Sequence, residues 1–352
     1  MSKTITIQNR KIGVGSPCFI IAELSANHQG DKGQAIKTIL AAKKAGADAI
    51  KLQTYTPDTI TLKSEKPYFK IKGTIWEGRT LHDLYAEAFT PWDWQPELKR
   101  IAGEEGLICF SSPFDFSAVD FLEAIEVPAY KIASFEITDI PLIEYVASKQ
   151  KPVIISTGIA TREDIEEALA ACRRMGNHQL ALLQCTSAYP APLEEANLLT
   201  IPDLQQQFGV VAGLSDHTLG IIAPITAVAL GASIIEKHII LNKRMGGPDA
   251  SFSLDPEAFA LMVQSVRETE LAMGTATYTL SEKIKGSKIF ARSLFFVADA
   301  KAGDVVTEKN IRSIRPGNGL HPKHYPALLG KQLKRDAEKG DPVSWEYFDD
   351  RP

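Results

Sequence analysis

From residue 17 to about residue 273, short runs of apolar and β-branched residues alternate with longer segments of helical period. The apolar runs lie near 18–23, 49–54, 107–112, 130–134, 153–157, 180–186, 210–216 and 233–240. Alternating strands and helices form parallel sheets, because each helix returns the chain to the start of the next strand. Eight such units, with no GxGxxG turn after any strand, predict a closed (β/α)8 barrel, a TIM barrel, rather than a doubly wound sheet.

Two segments interrupt this rhythm. The stretch TITIQNRKIGVG, which precedes the first strand, alternates on either side of Gln8-Asn9 and predicts a hairpin across the amino-terminal end of the barrel. The segment 55–94, which follows the second strand, is too long for an ordinary connection. Long strand-to-helix loops cover the active sites of barrels, so we interpret it as a lid.

The alternation ends near Gly274, and the remaining residues have short strand-like runs and Gly-Asp turns. A chain of 352 residues also exceeds the roughly 250–300 at which a single core stops growing. We therefore predict a catalytic barrel domain with its hairpin over residues 1–273, a polar linker over 274–288 and a small β-rich domain over 289–352.

Composition narrows the possible partners and surroundings. The net charge is −4, so a basic surface for nucleic acid or an anionic membrane is not expected. The amino terminus lacks the apolar core of a secretory signal, and the longest apolar stretch, 221–235, is too short to span a bilayer. We expect a cytoplasmic protein whose four cysteines, which have no CxxC spacing, are free thiols: Cys18, Cys109, Cys172 and Cys185.

Five ionisable residues interrupt otherwise apolar strands close to the strand ends: Glu23, Lys51, Lys131, Glu236 and His238. A charge inside a barrel is costly unless it is paired or has a function. Any one of them could be a core ion pair or a boundary residue. Five at the carboxyl ends of strands predict an active site there, since barrel enzymes keep their sites at that end.

Two histidines, His217 and His238, end neighbouring strands, so their imidazoles could bind one metal ion. Two neutral ligands leave positions for water and substrate, which favours a catalytic Mn²⁺, Mg²⁺ or Co²⁺ over a closed structural zinc site. The nearby acidic residues Asp216, Glu236 and Asp249 add to this interpretation. The alternative is a pair of hydrogen-bonded core histidines.

Hydroxyl groups cluster at the same strand ends, beside the two lysines. They belong to Ser111, Ser112, Ser134, Ser156, Thr157 and Ser215. Hydroxyls and ammonium groups around one cavity favour a site for phosphate and carboxylate, although a single serine in such a place is commonly a helix cap. Gly158 and Gly220 would let the backbone approach a ligand closely, and turn geometry also explains them.

These residues belong to motifs that resemble the sialic acid synthase family, most closely its pseudaminic acid synthase branch. The motifs are IIAELSANHQG, GADAIKLQTYTPDT, CFSSPFD, PAYKIASFE, IISTGIAT, CTSAYPAP, GLSDHT and IEKH, with FARSL and IRPGNGLHP in the tail. The resemblance covers nearly the whole chain. It implies that the tail is an antifreeze-like (SAF) domain and that the functional unit is a domain-swapped homodimer.

The resemblance also implies the reaction and the roles of its residues. Phosphoenolpyruvate would condense with an open-chain amino-sugar aldehyde to give a nine-carbon 2-keto acid and phosphate. A divalent ion, Mn²⁺ or else Mg²⁺ or Co²⁺, would be held by His217 and His238 and polarise the aldehyde, with Glu23 as the acid or base. Phosphoenolpyruvate would be bound by Lys51, Ser112, Lys131, Ser134, Ser156 and Ser215, and the sugar by Tyr189, Asp249 and Arg292, of which Arg292 reaches the partner's barrel.

The residues of the motifs resemble those of the pseudaminic acid branch most closely, which implies that the product is pseudaminic acid and the sugar substrate is 2,4-diacetamido-2,4,6-trideoxy-L-altrose. An N-acetylneuraminate or legionaminate synthase with the same chemistry is the alternative. A 6-deoxy sugar needs an apolar pocket, which Phe114, Phe135 and Trp76 could line. Two other classes stay open: a Schiff-base pyruvate aldolase that uses Lys51 or Lys131, and a non-enzymatic ice-binding or carbohydrate-binding module on an inert barrel.

Overall fold

A computed structural model describes residues 4–349 and divides the chain into two compact units, residues 1–274 and 275–352. In the first unit eight strands close into a barrel in which every neighbouring pair is parallel, in the order β10-β3-β4-β5-β6-β7-β8-β9. The predicted TIM barrel is confirmed. Its strands are β3 Phe19–Glu23, β4 Ala49–Thr54, β5 Ile108–Pro113, β6 Tyr130–Ile132, β7 Val153–Ser156, β8 Leu180–Cys185, β9 Val211–Asp216 and β10 Ile234–His238.

Helices follow the strands, and those outside the 55–94 insertion pack their apolar faces on the outside of the barrel. They are α1 Lys32–Lys44, α2 Pro57–Ile60, α3 Leu81–Ala88, α4 Gln95–Glu104, α5 Phe116–Ala124, α6 Ile140–Ser148, α7 Arg162–Arg174, α8 Thr200–Phe208, α9 Ile222–Ala229 and α10 Pro256–Met273. Their starts are locally encoded. Thr161, for example, forms a capping box with Asp164 at the start of α7, satisfying two free backbone N–H groups.

The barrel interior is apolar at one end and polar at the other. Successive side chains of a strand face opposite sides, so residues 19, 21 and 23 of β3 all point inward. Phe19 and Ile21 belong to an inner apolar cluster, whereas Glu23 lies beyond it at the carboxyl end. The predicted hairpin, strands β1 Thr4–Ile7 and β2 Arg10–Gly13, adds Ile7 and Ile12 to that cluster and so closes the amino-terminal end.

The predicted lid, residues 55–94, contains the short helices α2 and α3 and two 3₁₀ turns. A two-residue bridge between Lys70 and Thr80 closes its central loop. His28 fixes the end of this segment to the barrel: Gly30 N–H donates to its Nδ1, and its Nε2 lies 3.1 Å from Thr90 Oγ1. The insertion is therefore a folded element with its own hydrogen bonds.

The second unit is small and β-rich. Strands β11 Ser293–Phe296 and β12 Ile311–Ile314 pair antiparallel, and isolated bridges join the remaining loops. A separate apolar core includes Leu294, Phe296 and Ile311, and a short helix α12, Tyr325–Leu328, lies against it. The segment interpreted as a polar linker holds one further helix, α11 Glu282–Ser287, because Ser281 accepts a hydrogen bond from the Ile284 N–H and caps it.

No helix within residues 4–349 has the length and hydropathy needed to cross a membrane. All four cysteines are buried and none is in a disulfide. Burial raises the pKa of the Cys109 and Cys172 thiols to about 12, which keeps them as neutral thiols.

One ion pair lies on the outer side of the barrel strands, opposite in parity to the inward residues. Lys237 Nζ is 2.5 Å from Asp216 Oδ2, and both side chains are almost fully buried. Lys237 also donates to the Thr218 carbonyl oxygen. The pair thus links the carboxyl ends of β9 and β10 on the side that faces away from the barrel interior.

Removing one member of this pair should destabilise the barrel strongly. We expect Lys237→Met to lower the free energy of unfolding by about 3–5 kcal/mol, because Asp216 is left as an unpaired buried charge. The double variant Lys237→Met/Asp216→Leu should recover most of that loss. Arg162→Ala, which removes a surface ion pair with Glu166, is the matched control and should cost less than about 1 kcal/mol in urea unfolding. Equal losses for Lys237→Met and Arg162→Ala would contradict a structural role of the buried pair.

Candidate functional site

A deep pocket opens at the carboxyl ends of the barrel strands. Residues on the strands or directly after them form its floor, and loop and lid residues form its walls. The floor residues are Lys51, Gln53, Lys131, Ser156, Cys185, Ser215, His217, Glu236 and His238. The walls include Ile60, Trp76, Leu84, Tyr85 and Ala88 of the lid, with Phe114, Ser134, Phe135, Glu136, Tyr189 and Asp249 from the other loops.

Lys51 lies between two carboxylates on the floor. Its Nζ is 2.8 Å from Glu23 Oε2 and 3.4 Å from Glu236 Oε1. Gln53 Nε2 donates to the other oxygen of Glu23 at 3.0 Å, and Ser215 donates to Glu236 at 3.1 Å. Three of the five inward charges predicted from the sequence therefore form one connected cluster.

The pKa values of the two carboxyl groups in this cluster are shifted in opposite directions. Burial raises the pKa of Glu23 to about 7, despite the opposing effect of Lys51. Burial also acts on Glu236, but Lys131 and Lys51 outweigh it, and the pKa of Glu236 lies below its usual value. Near neutral pH the site thus pairs a carboxyl group that can hold a proton with one that stays ionised.

The lysines and hydroxyls form a second set of contacts. Lys131 donates to Ser156 Oγ at 2.6 Å and to the Ile132 carbonyl at 3.0 Å, and Lys51 donates to Ser112 Oγ at 3.2 Å. Burial lowers the pKa of Lys131. For Lys51 burial acts in the same direction, but Glu23 and Glu236 reverse it and the pKa is raised.

The two histidines face each other, with ring centroids 5.3 Å apart. His217 Nδ1 lies 3.2 Å from the Thr186 carbonyl oxygen, which can only accept, so Nδ1 carries the proton and Nε2 keeps a free lone pair. Burial lowers the pKa of His217 to about 4, and that of His238 well below its usual value. Both rings are neutral at physiological pH, the state that binds metals.

The surroundings of His238 leave room for a ligand. Its Nδ1 is buried, has no hydrogen-bond partner among the described residues, and lies 3.8 Å from Asp249 Oδ2. Burial raises the pKa of Asp249. Within residues 4–349 no three His, Cys, Asp or Glu side chains form a metal-binding cluster, so His217 and His238 would be a two-imidazole site that leaves other positions open.

An aromatic wall extends from the histidines to the lid. Tyr189 lies with its ring centroid 4.6 Å from that of His217 and 5.6 Å from that of Trp76. The Trp76 indole N–H donates to the Pro248 carbonyl at 3.1 Å, which ties the lid to the loop after β10. Phe252 lies 5.4 Å from Tyr189 on the inner side. This wall joins the lid and two strand-end loops at one edge of the pocket.

The structure brings most of the predicted site residues together. Glu23 and Ser112 lie outside the immediate lining and contact Lys51, and Ser134 lies on the wall. Arg292 belongs to the second unit, where it is exposed and donates to the Ser313 carbonyl. Its contact with sugar in a partner's barrel stays a prediction.

The sequence interpretation missed a half-buried carboxyl group, that of Glu136, whose Oε2 is shielded from solvent. It lines the pocket, its Oε2 has no hydrogen-bond partner among the described residues, and burial raises its pKa to about 7. The available signal was its place two residues after Ser134, just beyond β6. A carboxylate outside a strand is usually solvated, which is why the pattern of interrupted apolar runs did not select it.

Comparison with protein families agrees with this architecture. The model of the NeuB family matches residues 38–278, and the model of the SAF domain matches residues 291–348. The first match covers most of the barrel, and the second covers the small β-rich unit. The predicted SAF fold of the tail is confirmed.

Individual relatives span nearly the whole chain. A pseudaminic acid synthase of Campylobacter jejuni is 49% identical over 94% of this chain and 96% of its own length. An N,N'-diacetyllegionaminic acid synthase of the same organism is 36% identical over 89% of this chain and 95% of its own. The crystal structure of an N-acetylneuraminic acid synthetase of Leptospira borgpetersenii is 32% identical, with a TM-score of 0.73 over 82% of this chain and 95% of that one. The chain therefore belongs to the NeuB family of sialic acid synthases, which confirms the family predicted from its motifs.

Proposed function

We propose that this enzyme condenses phosphoenolpyruvate with 2,4-diacetamido-2,4,6-trideoxy-L-altrose to give pseudaminic acid and phosphate, with a divalent metal ion bound at its histidines. One observation carries the proposal. The same pocket holds two buried lysines beside hydroxyl groups and, next to them, two neutral histidines with an aromatic wall beyond. The first part suits a small dianionic or trianionic molecule, and the second suits a polyfunctional sugar.

The lysine half of the pocket supports the binding of phosphoenolpyruvate. Its phosphate and carboxylate need cationic donors and hydroxyls, which Lys51, Lys131 and their neighbouring serines supply. With Glu23 protonated, two lysines face a single carboxylate, Glu236, so the floor has a positive excess. That excess would hold the anion and neutralise the phosphate as it leaves.

The histidine half supports a metal site. His217 and His238 would hold the ion through neutral imidazole nitrogens, with His217 oriented by the Thr186 carbonyl. A bound divalent ion supplies Lewis acidity, which makes an aldehyde more electrophilic. Two imidazole ligands leave several coordination positions of the ion open for water and for substrate oxygens, unlike a closed structural zinc site. Mn²⁺ is the ion we expect, with Mg²⁺ or Co²⁺ as alternatives.

The two carboxyl groups of the Lys51 cluster divide the proton transfers. Carbon 3 of phosphoenolpyruvate attacks the aldehyde carbon, whose oxygen then needs a proton, and water adds at carbon 2 before the carbon–oxygen bond to phosphate breaks. Glu23, with its raised pKa, can supply the proton to the aldehyde oxygen. Glu236 is ionised, and its Oε2 has no hydrogen-bond partner among the described residues, so it can accept the proton of the water.

The choice of sugar rests on the relatives and on the wall of the pocket. Identity is higher to the pseudaminic acid synthase than to the legionaminic acid synthase of the same organism, 49% against 36%. Trp76, Tyr189, Phe114 and Phe135 give the outer pocket an apolar surface. Such a surface suits a methyl group and acetamido methyls better than hydroxyls.

One observation favours a second candidate, a pyruvate aldolase that forms a Schiff base. Burial lowers the pKa of Lys131, and lysine nucleophiles need such a shift. Its Nζ is, however, committed to Ser156 and to a backbone carbonyl. Borohydride reduction in the presence of pyruvate would leave a covalent adduct on Lys131 in an aldolase, and we expect no adduct by mass spectrometry.

The main test measures phosphate release from phosphoenolpyruvate with Mn²⁺. We expect release with the diacetamido-trideoxy-altrose, little with N-acetylmannosamine, and none after chelation, since the aldehyde then lacks its activating ion. Release only with N-acetylmannosamine would move the protein to the neuraminic acid branch. Release that persists in chelator would refute the metal-dependent mechanism.

The pH dependence tests the role of Glu23. Its pKa of about 7 means that the acid form is lost as pH rises through 7, so kcat/KM should fall over that range. Glu23→Gln should lower kcat/KM by about 10²- to 10⁴-fold and remove this limb of the profile. Glu236→Gln is the matched variant and should keep the limb but move it to lower pH, because the charge of Glu236 helps to raise the pKa of Glu23. A profile that rises through pH 7 in the wild type would make Glu23 the base.

Metal binding can be measured without turnover. We expect His238→Ala to weaken Co²⁺ affinity by at least about 100-fold in a titration followed by visible absorption, because one of two imidazole ligands is lost. His178→Ala removes an exposed histidine on the outside of the barrel and should bind Co²⁺ like the wild type. Equal affinity of His238→Ala and His178→Ala would place the metal elsewhere.

A further inference from the structure

The hydroxyl group of Ser134 is held by two donors. Ser134 lies just after β6, is buried, and lines the pocket. Its Oγ accepts a hydrogen bond from the Ile159 backbone N–H at 3.1 Å and another from Ser187 Oγ at 2.8 Å. Ile159 follows β7 and Ser187 follows β8, so three consecutive strand ends meet at this oxygen.

Gly158 makes this meeting possible. A Cβ atom at residue 158 would lie 2.2 Å from Ser187 Oγ and 2.7 Å from Ser134 Oγ, distances that no side chain can occupy. Gly158 is not among the residues with positive φ, so its backbone conformation does not require glycine. Of the two explanations that the sequence left open, close approach is the one that applies, and the approaching atoms are the two serine hydroxyls.

The two hydrogen bonds that Ser134 accepts determine the direction in which its own hydroxyl proton can point. A hydroxyl oxygen has two lone pairs and one proton, and here both lone pairs face donors. The remaining O–H must point away from Ile159 and Ser187. Ser134 lines the pocket whereas Ser187 and Gly158 do not, so the direction left to that proton is the cavity with its lysines.

We propose that Ser187 is a positioning residue that fixes Ser134 as a hydrogen-bond donor to the anionic substrate, in a space that Gly158 keeps open. The inference rests on the proposed function, in which that anion is phosphoenolpyruvate. A donor whose direction is set in advance need not reorganise when the anion enters, and it cannot turn its lone pairs toward a negative charge. Ser187 acts only through Ser134 and has no contact with substrate.

A double-mutant cycle tests this arrangement through phosphoenolpyruvate binding measured by calorimetry. Ser134→Ala should weaken binding by about 10- to 100-fold, because a hydrogen bond to a charged group is lost. Ser187→Ala should weaken it by about 3- to 10-fold. The double variant should bind no more weakly than Ser134→Ala, since Ser187 has nothing left to position. In turnover assays Ser187→Ala should raise KM for phosphoenolpyruvate and leave KM for the sugar unchanged.

Three further variants separate positioning from general damage. Ser187→Thr keeps the hydroxyl and should restore most of the affinity. Gly158→Ala should weaken binding at least as much as Ser187→Ala, since it displaces both hydroxyls. Ser148→Ala removes an exposed serine hydroxyl that donates to the Tyr145 carbonyl, outside the pocket. This variant should bind phosphoenolpyruvate like the wild type. Thermal melting of each variant shows that it is folded.

The outcomes distinguish this inference from the proposed function. Wild-type affinity in Ser187→Ala, additive losses in the double variant, or equal rises of both KM values would overturn the positioning role. A wild-type enzyme that does not bind phosphoenolpyruvate would instead overturn the proposed function. In that case inorganic phosphate, titrated against the same variants, decides the inference: the same order of affinities supports it, and equal affinities refute it.

Discussion

The balance of charge around Lys51 sets the conditions for everything else in the pocket. Its ammonium group is buried, and such a charge is tolerated only with close partners, here Glu23 at 2.8 Å and Glu236 at 3.4 Å. Burial disfavours the ionised form of Glu23, and the charge of Glu236 adds to this effect, so the pKa of Glu23 rises to about 7 despite the opposing effect of Lys51. Burial, Lys51 and Lys131 together leave Glu23 able to hold a proton near neutral pH and keep Glu236 ionised.

The closed barrel explains why these charges occur only at one end. The strand register places His238 beside Glu23, and Glu23 beside Lys51, as lateral neighbours on three adjacent strands. On the first strand of the three, β10, the inward residue two before His238 is still polar, Glu236. The inward residues below this layer are Ile21 on β3, Ala49 on β4 and Ile234 on β10, which pack in the apolar interior. The polar layer therefore stands on an apolar layer that the hairpin closes from below, and the pocket has one open end.

This layering is also why much of the architecture could be predicted from the sequence. The alternation of strands and helices predicted the barrel, and the charges within its apolar strands, Glu23, Lys51, Lys131, Glu236 and His238, predicted an active site at the carboxyl ends of the strands. Those predictions needed only local periods and closure of the sheet. Periodicity predicts which residues face inward because every strand of the barrel buries alternate side chains in the same interior.

Other features depend on contacts between distant residues and left no local pattern. The hydrogen bond from Ser187 to Ser134 joins residues 53 apart in sequence, and the tautomer of His217 depends on the carbonyl of Thr186, 31 residues away. Glu136 lies beyond its strand, where a carboxylate is normally exposed. The helix Glu282–Ser287 depended on a single capping residue in a segment that is otherwise polar. Orientation of a proton or a ring is set by such partners, and neither composition nor period encodes it.

The division between strands and loops bears on how one fold can serve different sugars. The acid, the ionised carboxylate, the lysines and the histidines stand on or directly beyond strands, where register and burial fix them. The aromatic wall is built differently: Trp76 comes from the lid and Tyr189 from the loop after β8, and they meet only across the pocket. Substitutions in these loops can change the wall without disturbing the charge balance below it. The relatives of this chain include both a pseudaminic and a legionaminic acid synthase, and such a separation allows the loops to differ among them while the side chains on the strands stay in place.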